Sequence, residues 1–408
     1  MYHLYERFGI ELEYMIVDKD TLDVSPITDK VLQTINGELT NEVNVGDIAW
    51  SNELALHVIE LKTAEPAYSI IDLDRKFHES LQKINGILTN HNACLMGGPM
   101  HPFMDPVKEI RLWPHDYSPI YHAFDKIFSC KGHGWANLQS MHINLPFGND
   151  NEFGRLHAAI RLILPLIPGL SAASPIADGK LTGYHDTRME MYRNNSKKIP
   201  SITGQVIPEA VFTQAHYQEQ ILQRIYQDLA PYDPEKILQE EWVNSRGAIA
   251  RFERNSIEIR VVDVQETPFA DQAIAAAVID SIMMLTDEDC STLDTQKCVS
   301  MEPLVITFLD AVKNGENARI SDNSYLTALG IPSGNFSLND IWKQIVQRIS
   351  RKKDCLSVNF SQPLETILTE GTLSSRILRK TGLNPSAEVI RGIYHKMCTC
   401  LKDGVVFH

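Results

Sequence analysis

From Phe8 to Val17 the chain alternates. Phe8, Ile10, Leu12, Tyr14 and Ile16 point one way, and Gly9, Glu11, Glu13 and Met15 the other. Period-two alternation predicts a β-strand with one buried face. The pattern returns in Leu138–Pro146, where Ser140, His142 and Asn144 share one face and Met141, Ile143 and Leu145 the other. It returns again in Ala248–Asp263, which reads as a hairpin turning near Arg254-Asn255, with Glu258, Arg260 and Val262 on one face and Ile257, Ile259 and Val261 on the other. Trp50–Lys62 is a further strand-like stretch, but the odd spacing of Glu53 and Glu60 puts them on opposite faces of a flat strand. A bulge or turn between them, or a position for Glu53 on the entering loop, is required to bring both to one face. A shorter strand is predicted at Ala93–Met96, followed by a loop at Gly97–Phe103 forced by glycine and proline. His101 in that loop reads as structural or exposed rather than as a ligand.

Helical periodicity fills the intervals. Leu73, Phe77, Leu81, Ile84 and Leu88 form one stripe, with Ser69–Asp72 expected to open it as a capping box. Asp18–Thr21 reads as a turn, and Ser25–Ile35 as a short amphipathic segment. A helix is expected from near Asn151 until Pro165 and Pro168 stop it, and a longer one over Glu209–Leu229. Ala270–Leu285 is an alanine-rich apolar helix, and Leu304–Val312, Ile341–Ile349 and Ala387–Cys400 give the C-terminal part a helical pattern. Asp178–Gly204 shows no period, is polar, and carries Arg188, Arg193, Lys197 and Lys198; it is expected to be a long loop that contacts anions.

Composition narrows the class without changing this outline. The 408 residues are 43% hydrophobic and 22% charged, as in a globular protein, and the net charge is −14. That charge argues against a nucleic-acid or anionic-membrane surface. No apolar run of about 18 residues is evident and no basic n-region precedes an apolar stretch, so a cytoplasmic protein is expected. Seven scattered cysteines, without a CxxC pair, read as reduced thiols.

The candidate chemistry lies on the polar strand faces. An isolated pair such as Glu11 and Glu13 is more often a solvated strand face than a site, and Glu258 and Arg260 could simply pair with each other. Taken together, Glu11, Glu13, Glu53, Glu60, His142 and Glu258 make a hard, oxygen-rich ligand set with Arg260 alongside. Such a set suits Mg²⁺ or Mn²⁺ and suits zinc poorly. It is the kind of site that holds nucleotide phosphates, with an arginine to stabilise a phosphoryl group in transfer.

Phe8-Gly9-Ile10-Glu11-Leu12-Glu13, the Glu53/Glu60 pair, Gly98-Pro99-Met100-His101-Pro102-Phe103, Met141-His142-Ile143 and Ile257-Glu258-Ile259-Arg260 occur in an order that resembles the glutamate–cysteine ligase type 2 (carboxylate–amine ligase) family, within the glutamine synthetase-like superfamily. The resemblance implies an α+β fold: an antiparallel sheet curved into a half-barrel, helices on its convex face and a helical C-terminal part. A catalytic domain at 1-286 would be followed by a mainly helical segment at 287-408. Carried over, Glu13, Glu53 and Glu60 would hold one Mg²⁺, and Glu11, His142 and Glu258 another. Arg260 would contact the γ-phosphate of ATP and Arg193 would grip the substrate carboxylate.

The implied reaction is ATP-dependent formation of a γ-glutamyl amide through an acyl phosphate, as in the first step of glutathione biosynthesis, from a glutamate-like carboxylate and a cysteine-like amine. The segment Tyr184–Arg193 departs from the Gly/Asp-rich, arginine-containing signature of the family's substrate loop, which leaves both substrates open, as it leaves homo-oligomerisation open. The rival readings are a non-catalytic Mg/nucleotide-binding protein on the same fold and a two-metal phosphate-ester hydrolase.

Overall fold

The computed structural model describes residues 1–408. Eight strands form one antiparallel sheet: β1 (Gly9–Asp18), β2 (Glu42–Val45), β3 (Ile48–Asn52), β4 (Val58–Thr63), β5 (Ala93–Met96), β6 (Ser140–Pro146), β7 (Ala248–Arg251) and β8 (Ser256–Asp263). Their order is β2-β3-β4-β1-β6-β8-β7, with β5 also paired to β1, so the sheet is open at both ends. β1 is the central strand. It pairs with β4 through residues 11–15, with β6 through 9–12 and with β5 through 15–18.

The alternation decides which face is dry. Ile10, Leu12, Tyr14, Ile16, Ile59, Leu61, Met141, Ile143, Leu145, Ile257 and Ile259 are all buried in one contiguous core. The helices Leu73–Thr89, Asp150–Ile163 and Pro268–Thr286 supply the rest of it. Burial of this kind contributes about 1.5–3 kcal/mol per large side chain, so a one-residue register slip in β1 would be prohibitive. Pro268–Thr286 is long and apolar enough to cross a membrane, contrary to the expectation that no such run exists, yet it is 89% buried within the fold. Its polar residues are used internally: Asp280 accepts the amides of Leu356 (3.0 Å) and Ser357 (2.9 Å).

The C-terminal helices pack on this body. Ala387–Asp403 lies on β5 and on the helix Leu73–Thr89, while Ser361–Glu370 and Leu338–Ile349 lie on Pro268–Thr286. The tail is tied down by a fully buried ion pair, Arg376 Nη1 to Glu266 Oε1 at 2.6 Å. The amide of Phe407 donates to the same carboxylate at 3.1 Å.

Four local expectations are corrected. The helix Leu73–Thr89 begins without a capping box: Asp72 adopts φ 71° and offers no side-chain cap, while the Ser69 hydroxyl accepts from Ile71 N instead. The helix expected over Glu209–Leu229 begins at Gln214, where the Thr213 side chain accepts from His216 N, and it passes through a π-helical turn at Gln218–Leu222. The segment 178–204 contains a helix, Thr187–Tyr192, capped by the Asp186 carboxylate accepting from Met189 N. Finally, β8 carries a bulge: Ile259 pairs with Ile143 but Val262 pairs with Met141. The extra residue turns Val262 into the core and brings Asp263 opposite Ser140, so Val262 does not share the face of Glu258.

Candidate active site

Cross-strand register assembles the polar face. Glu13 on β1 is opposite Glu60 on β4, which is in turn opposite Ser51 on β3. Glu11 is opposite Lys62 on one side and His142 on the other. Glu53 follows the last residue of β3, so the β3–β4 hairpin supplies the turn that its spacing from Glu60 demanded. Six predicted residues therefore meet on one face from four strands and a loop end.

Within that set the grouping differs in part from the family-based expectation. Ligand oxygens of Glu13, Glu53 and Glu60 all lie within 4.8 Å of one another, as do ligand atoms of Glu11, Glu60 and His142. Glu60 joins the second group, and Glu258 Oε1 stays 4.0 Å from His142 Nδ1. Glu258 is 2% exposed and is clamped by two guanidinium groups, Arg260 Nε at 2.5 Å and Arg251 Nη1 at 3.0 Å. His142 Nδ1 is 2.8 Å from Glu11 Oε2, and its Nε2 is 2.9 Å from Ser140 Oγ. The Ser140 amide and hydroxyl both donate to Glu13 Oε2, at 2.7 and 3.0 Å.

The charge balance fits a cation. Burial, the Glu60 charge and the Glu13 charge together hold Glu53 well above the usual carboxylate range. Burial likewise raises Glu60 against the pull of Lys62, whose Nζ is 3.0 Å away. Burial alone would lower His142, but Glu11, Glu13 and Glu258 raise it to about 9. Conversely, burial would raise Glu11, and the hydrogen bond and charge of His142 bring it down to about 2. Clustered buried carboxylates whose charges repel one another are the donor set that a hard divalent ion would complete.

Glu13, Glu53, Glu60 and His142 face a cavity of about 500 Å³ that also receives Arg188, Arg251, Arg254 and Arg260. A second cavity of about 350 Å³ lies along the other end of β1, lined by Arg7, Gly9, Glu11 and Asn144. Lys62 and Arg254 line both. Arg193, the residue chosen for the substrate carboxylate, does not line either; its Nε and Nη2 are spent on Glu190, at 2.7 and 3.0 Å. Arg188 from the same helix reaches the cavity instead. It is held by Asp263, and its Nη2 donates to the Arg260 carbonyl at 3.3 Å. Of the other cations in that segment, Lys198 donates to the Ile127 carbonyl at 3.0 Å. His101 is buried and structural, with Nε2 2.7 Å from the Leu22 carbonyl.

Sequence reading missed Lys62, Arg251 and the aromatic lining of the larger cavity, and it named Arg188 only as one of four cations in a segment expected to contact anions, choosing Arg193 instead. Lys62 had a signal, since it lies two residues beyond Glu60 on the same strand face. Nothing local separates Arg188 from its neighbouring cations or marks Arg251, because their partners Asp263 and Glu258 are defined by the bulge and by the hairpin register.

The profile described as glutamate–cysteine ligase family 2 matches residues 7–399. A protein of Archaeoglobus fulgidus, itself uncharacterised, is 31% identical over 98% of this chain and 99% of its own length. A Rubrobacter xylanophilus protein provisionally named glutamate–cysteine ligase 2-3 is 26% identical over 45% of this chain and 47% of its own. Among solved structures, the glutamate–cysteine ligase of Francisella tularensis in complex with AMP superposes with a TM-score of 0.63 at 14% identity, covering 97% of this chain and 88% of that one. A bifunctional glutathione synthetase from Pasteurella multocida superposes with a TM-score of 0.54 at 12% identity, over 97% of this chain and 52% of that one. The fold shared with these ligases is the open glutamine synthetase-like sheet with its helical additions.

Proposed function

The chain belongs to glutamate–cysteine ligase family 2, and from that premise we propose that it is an ATP-dependent carboxylate–amine ligase. The observation that carries the reading is the meeting of the Glu13–Glu53–Glu60 carboxylates with Arg188 and Arg260 in one cavity. Acid clusters alone bind cations; a facing pair of guanidinium groups adds a place for anions.

A carboxylate oxygen of the acid attacks the γ-phosphorus of ATP, the bond to the β–γ bridging oxygen breaks, and ADP leaves. The amine nitrogen then attacks the acyl carbon, the C–O bond to phosphate breaks, and the nitrogen loses its proton to water. Mg²⁺ or Mn²⁺ held by Glu13, Glu53 and Glu60, with Glu11 and His142 alongside, would supply neutralisation of the phosphate charge. Arg260, aligned by Glu258, would bear charge on the transferring phosphoryl group, and Arg188, fixed by Asp263, would hold the acid's free carboxylate. A glutamate-like acid matches that arginine. No protein nucleophile takes part.

A hydroxylamine-trapping screen of carboxylic acids with Mg·ATP tests this directly, because the acyl phosphate is intercepted whatever the natural amine. Hydroxamate from at least one acid, with one phosphate released per hydroxamate, is the expected result. ATP cleavage that stays the same across a broad panel of acids and amines would sink it.

A further inference from the structure

The larger cavity has two unlike walls. Every cation that lines it, Lys62 and the four arginines, belongs to the strands and the helix Thr187–Tyr192 or to the turn beside them. The other wall is built from Tyr121 and Phe124 on the helix Ser118–Phe128, Trp135 in the turn His133–Ala136, Leu138, and Trp242 in the turn Glu241–Val243. Three of the rings form a connected set: Phe124 lies 5.2 Å from Trp135 and 5.9 Å from Trp242, centroid to centroid. All of them are only half-buried although they line a concave site.

Half-buried aromatic surface inside a polar cleft is costly to leave in water and is the surface that a planar apolar group would cover. A glutamate-like acid has no such group, and the arginine wall already serves its charges. The aromatic wall has no cation. An acid adjoins it instead: Glu53 lines the same cavity, and its charge adds to burial in raising the Tyr121 hydroxyl, whose oxygen accepts from Asn52 Nδ2 at 3.0 Å. Ring faces next to a carboxylate suit an ammonium group carrying an apolar body.

We propose that this wall binds the amine substrate and that the amine carries an aromatic ring: an arylalkyl primary amine takes the place of cysteine. The assignment rests on the ligase reading for its chemistry. The bond formed is between the amine nitrogen and the acyl carbon, phosphate leaves with the electron pair of the broken C–O bond, and the proton passes to water.

Two measurements on the full chain test it. Phenethylamine alone should quench the intrinsic tryptophan fluorescence saturably, and Phe124→Ala should weaken that binding at least ten-fold, with Phe124→Leu between the two. With Mg·ATP and the acid that gives hydroxamate, phenethylamine should exceed cysteine at least ten-fold in kcat/KM. Phe124→Ala should raise the KM for the amine at least ten-fold and that for ATP less than two-fold.

Absence of saturable quenching overturns the proposal, as does a preference for cysteine or ammonia. Equal effects of Phe124→Ala on the KM values of amine and ATP overturn it too. Hydroxamate formation without a preference for the aryl amine removes this inference and leaves the ligase. Quenching without hydroxamate from any acid removes the ligase and leaves the binding site.

Discussion

Glu13 on β1 and Glu60 on β4 stand directly opposite each other, two carboxylates in one cross-strand pair. Like charges so placed weaken a sheet, and Glu53 brings a third carboxylate oxygen to within 4.8 Å of theirs. The arrangement makes sense if stability is given up for cation binding. In the presence of chelator, Glu53→Gln should therefore melt no lower than the parent, and higher by the equivalent of up to about 1 kcal/mol. Mg²⁺ or Mn²⁺ should raise the melting temperature of the parent and leave that of Glu53→Gln unmoved. A variant that is destabilised in chelator yet still responds to the metal would show that Glu53 is a structural group.

Glu258 belongs to the arginines more than to the metal groups. Its two oxygens take Arg260 at 2.5 Å and Arg251 at 3.0 Å, so it fixes the guanidinium group that would face the phosphoryl group. Glu258→Gln should lower kcat about 10²–10³-fold, the scale of losing one aligned electrostatic group. His101→Gln, which removes a buried structural imidazole, should keep its turnover per folded molecule. Similar losses in both, measured as ATP-dependent phosphate release, would mean that the site has been placed wrongly.

The two arginines of the helix Thr187–Tyr192 and its end separate by partner. Arg188 is buried against Asp263 and lines the cavity, whereas Arg193 pairs with Glu190 three residues away and is partly exposed. Arg188→Lys should raise the KM for the acid at least ten-fold, because lysine cannot reproduce a fork held by one partner and offered to another. Arg193→Ala should change it less than three-fold. The reverse order in steady-state kinetics would restore Arg193 as the carboxylate anchor.

Much of this site was legible as strand parity. Glu11, Glu13, His142 and Glu258 lie where alternation puts them, and opposite them Ile10, Leu12, Ile143 and Ile257 fill the core. The family-like order of motifs supplied the pairing between distant strands, which no local pattern contains. What escaped was the work of longer-range geometry. The bulge in β8 shifts Val262 and Asp263 by one face, and only then does Asp263 meet Arg188. Segment 178–204 looked patternless because its helix is anchored by a buried ion pair rather than by an apolar stripe. The aromatic wall draws on residues 121 to 242, each unremarkable among its own neighbours.

His101 offers a stability test that is independent of catalysis. Its Nε2 faces the Leu22 carbonyl at 2.7 Å and its Nδ1 accepts from the Phe103 amide at 3.1 Å, a pair of contacts that only the neutral ring can make. Burial, offset by the Leu22 hydrogen bond, holds it down to about 4, and burial holds His57 down to about 4 as well. Both folded values lie below the ordinary value of about 6.5, so between these limits the unfolded chain binds more protons. Their contribution is complete above pH 6.5 and is lost as pH falls toward 4. Chemical-denaturation midpoints should fall across that window, and His101→Gln, less stable at pH 7, should show a shallower fall. Parallel slopes for variant and parent would assign the acid sensitivity to other groups.

The tie between the C-terminal tail and the main body gives the last prediction. Arg376 and Glu266 are both fully buried, and their 2.6 Å contact is joined by the Phe407 amide on the same carboxylate oxygen. The pair is incompletely satisfied: Arg376 Nε and Nη2 and Glu266 Oε2 have no hydrogen-bond partner. Coulombic attraction in such a setting barely repays desolvation, so the pair contributes little net stability while either charge left alone is expensive. Arg376→Met should accordingly cost about 3–5 kcal/mol, measured from urea midpoints at constant m. The double variant Arg376→Met with Glu266→Leu should cost less than that single change, since it removes both desolvated charges together. A double variant that costs as much as Arg376→Met alone, or more, would instead mean that the pair is a net source of stability, and that the tail is held by charge as well as by the packing of Phe407 and the helix Ala387–Asp403.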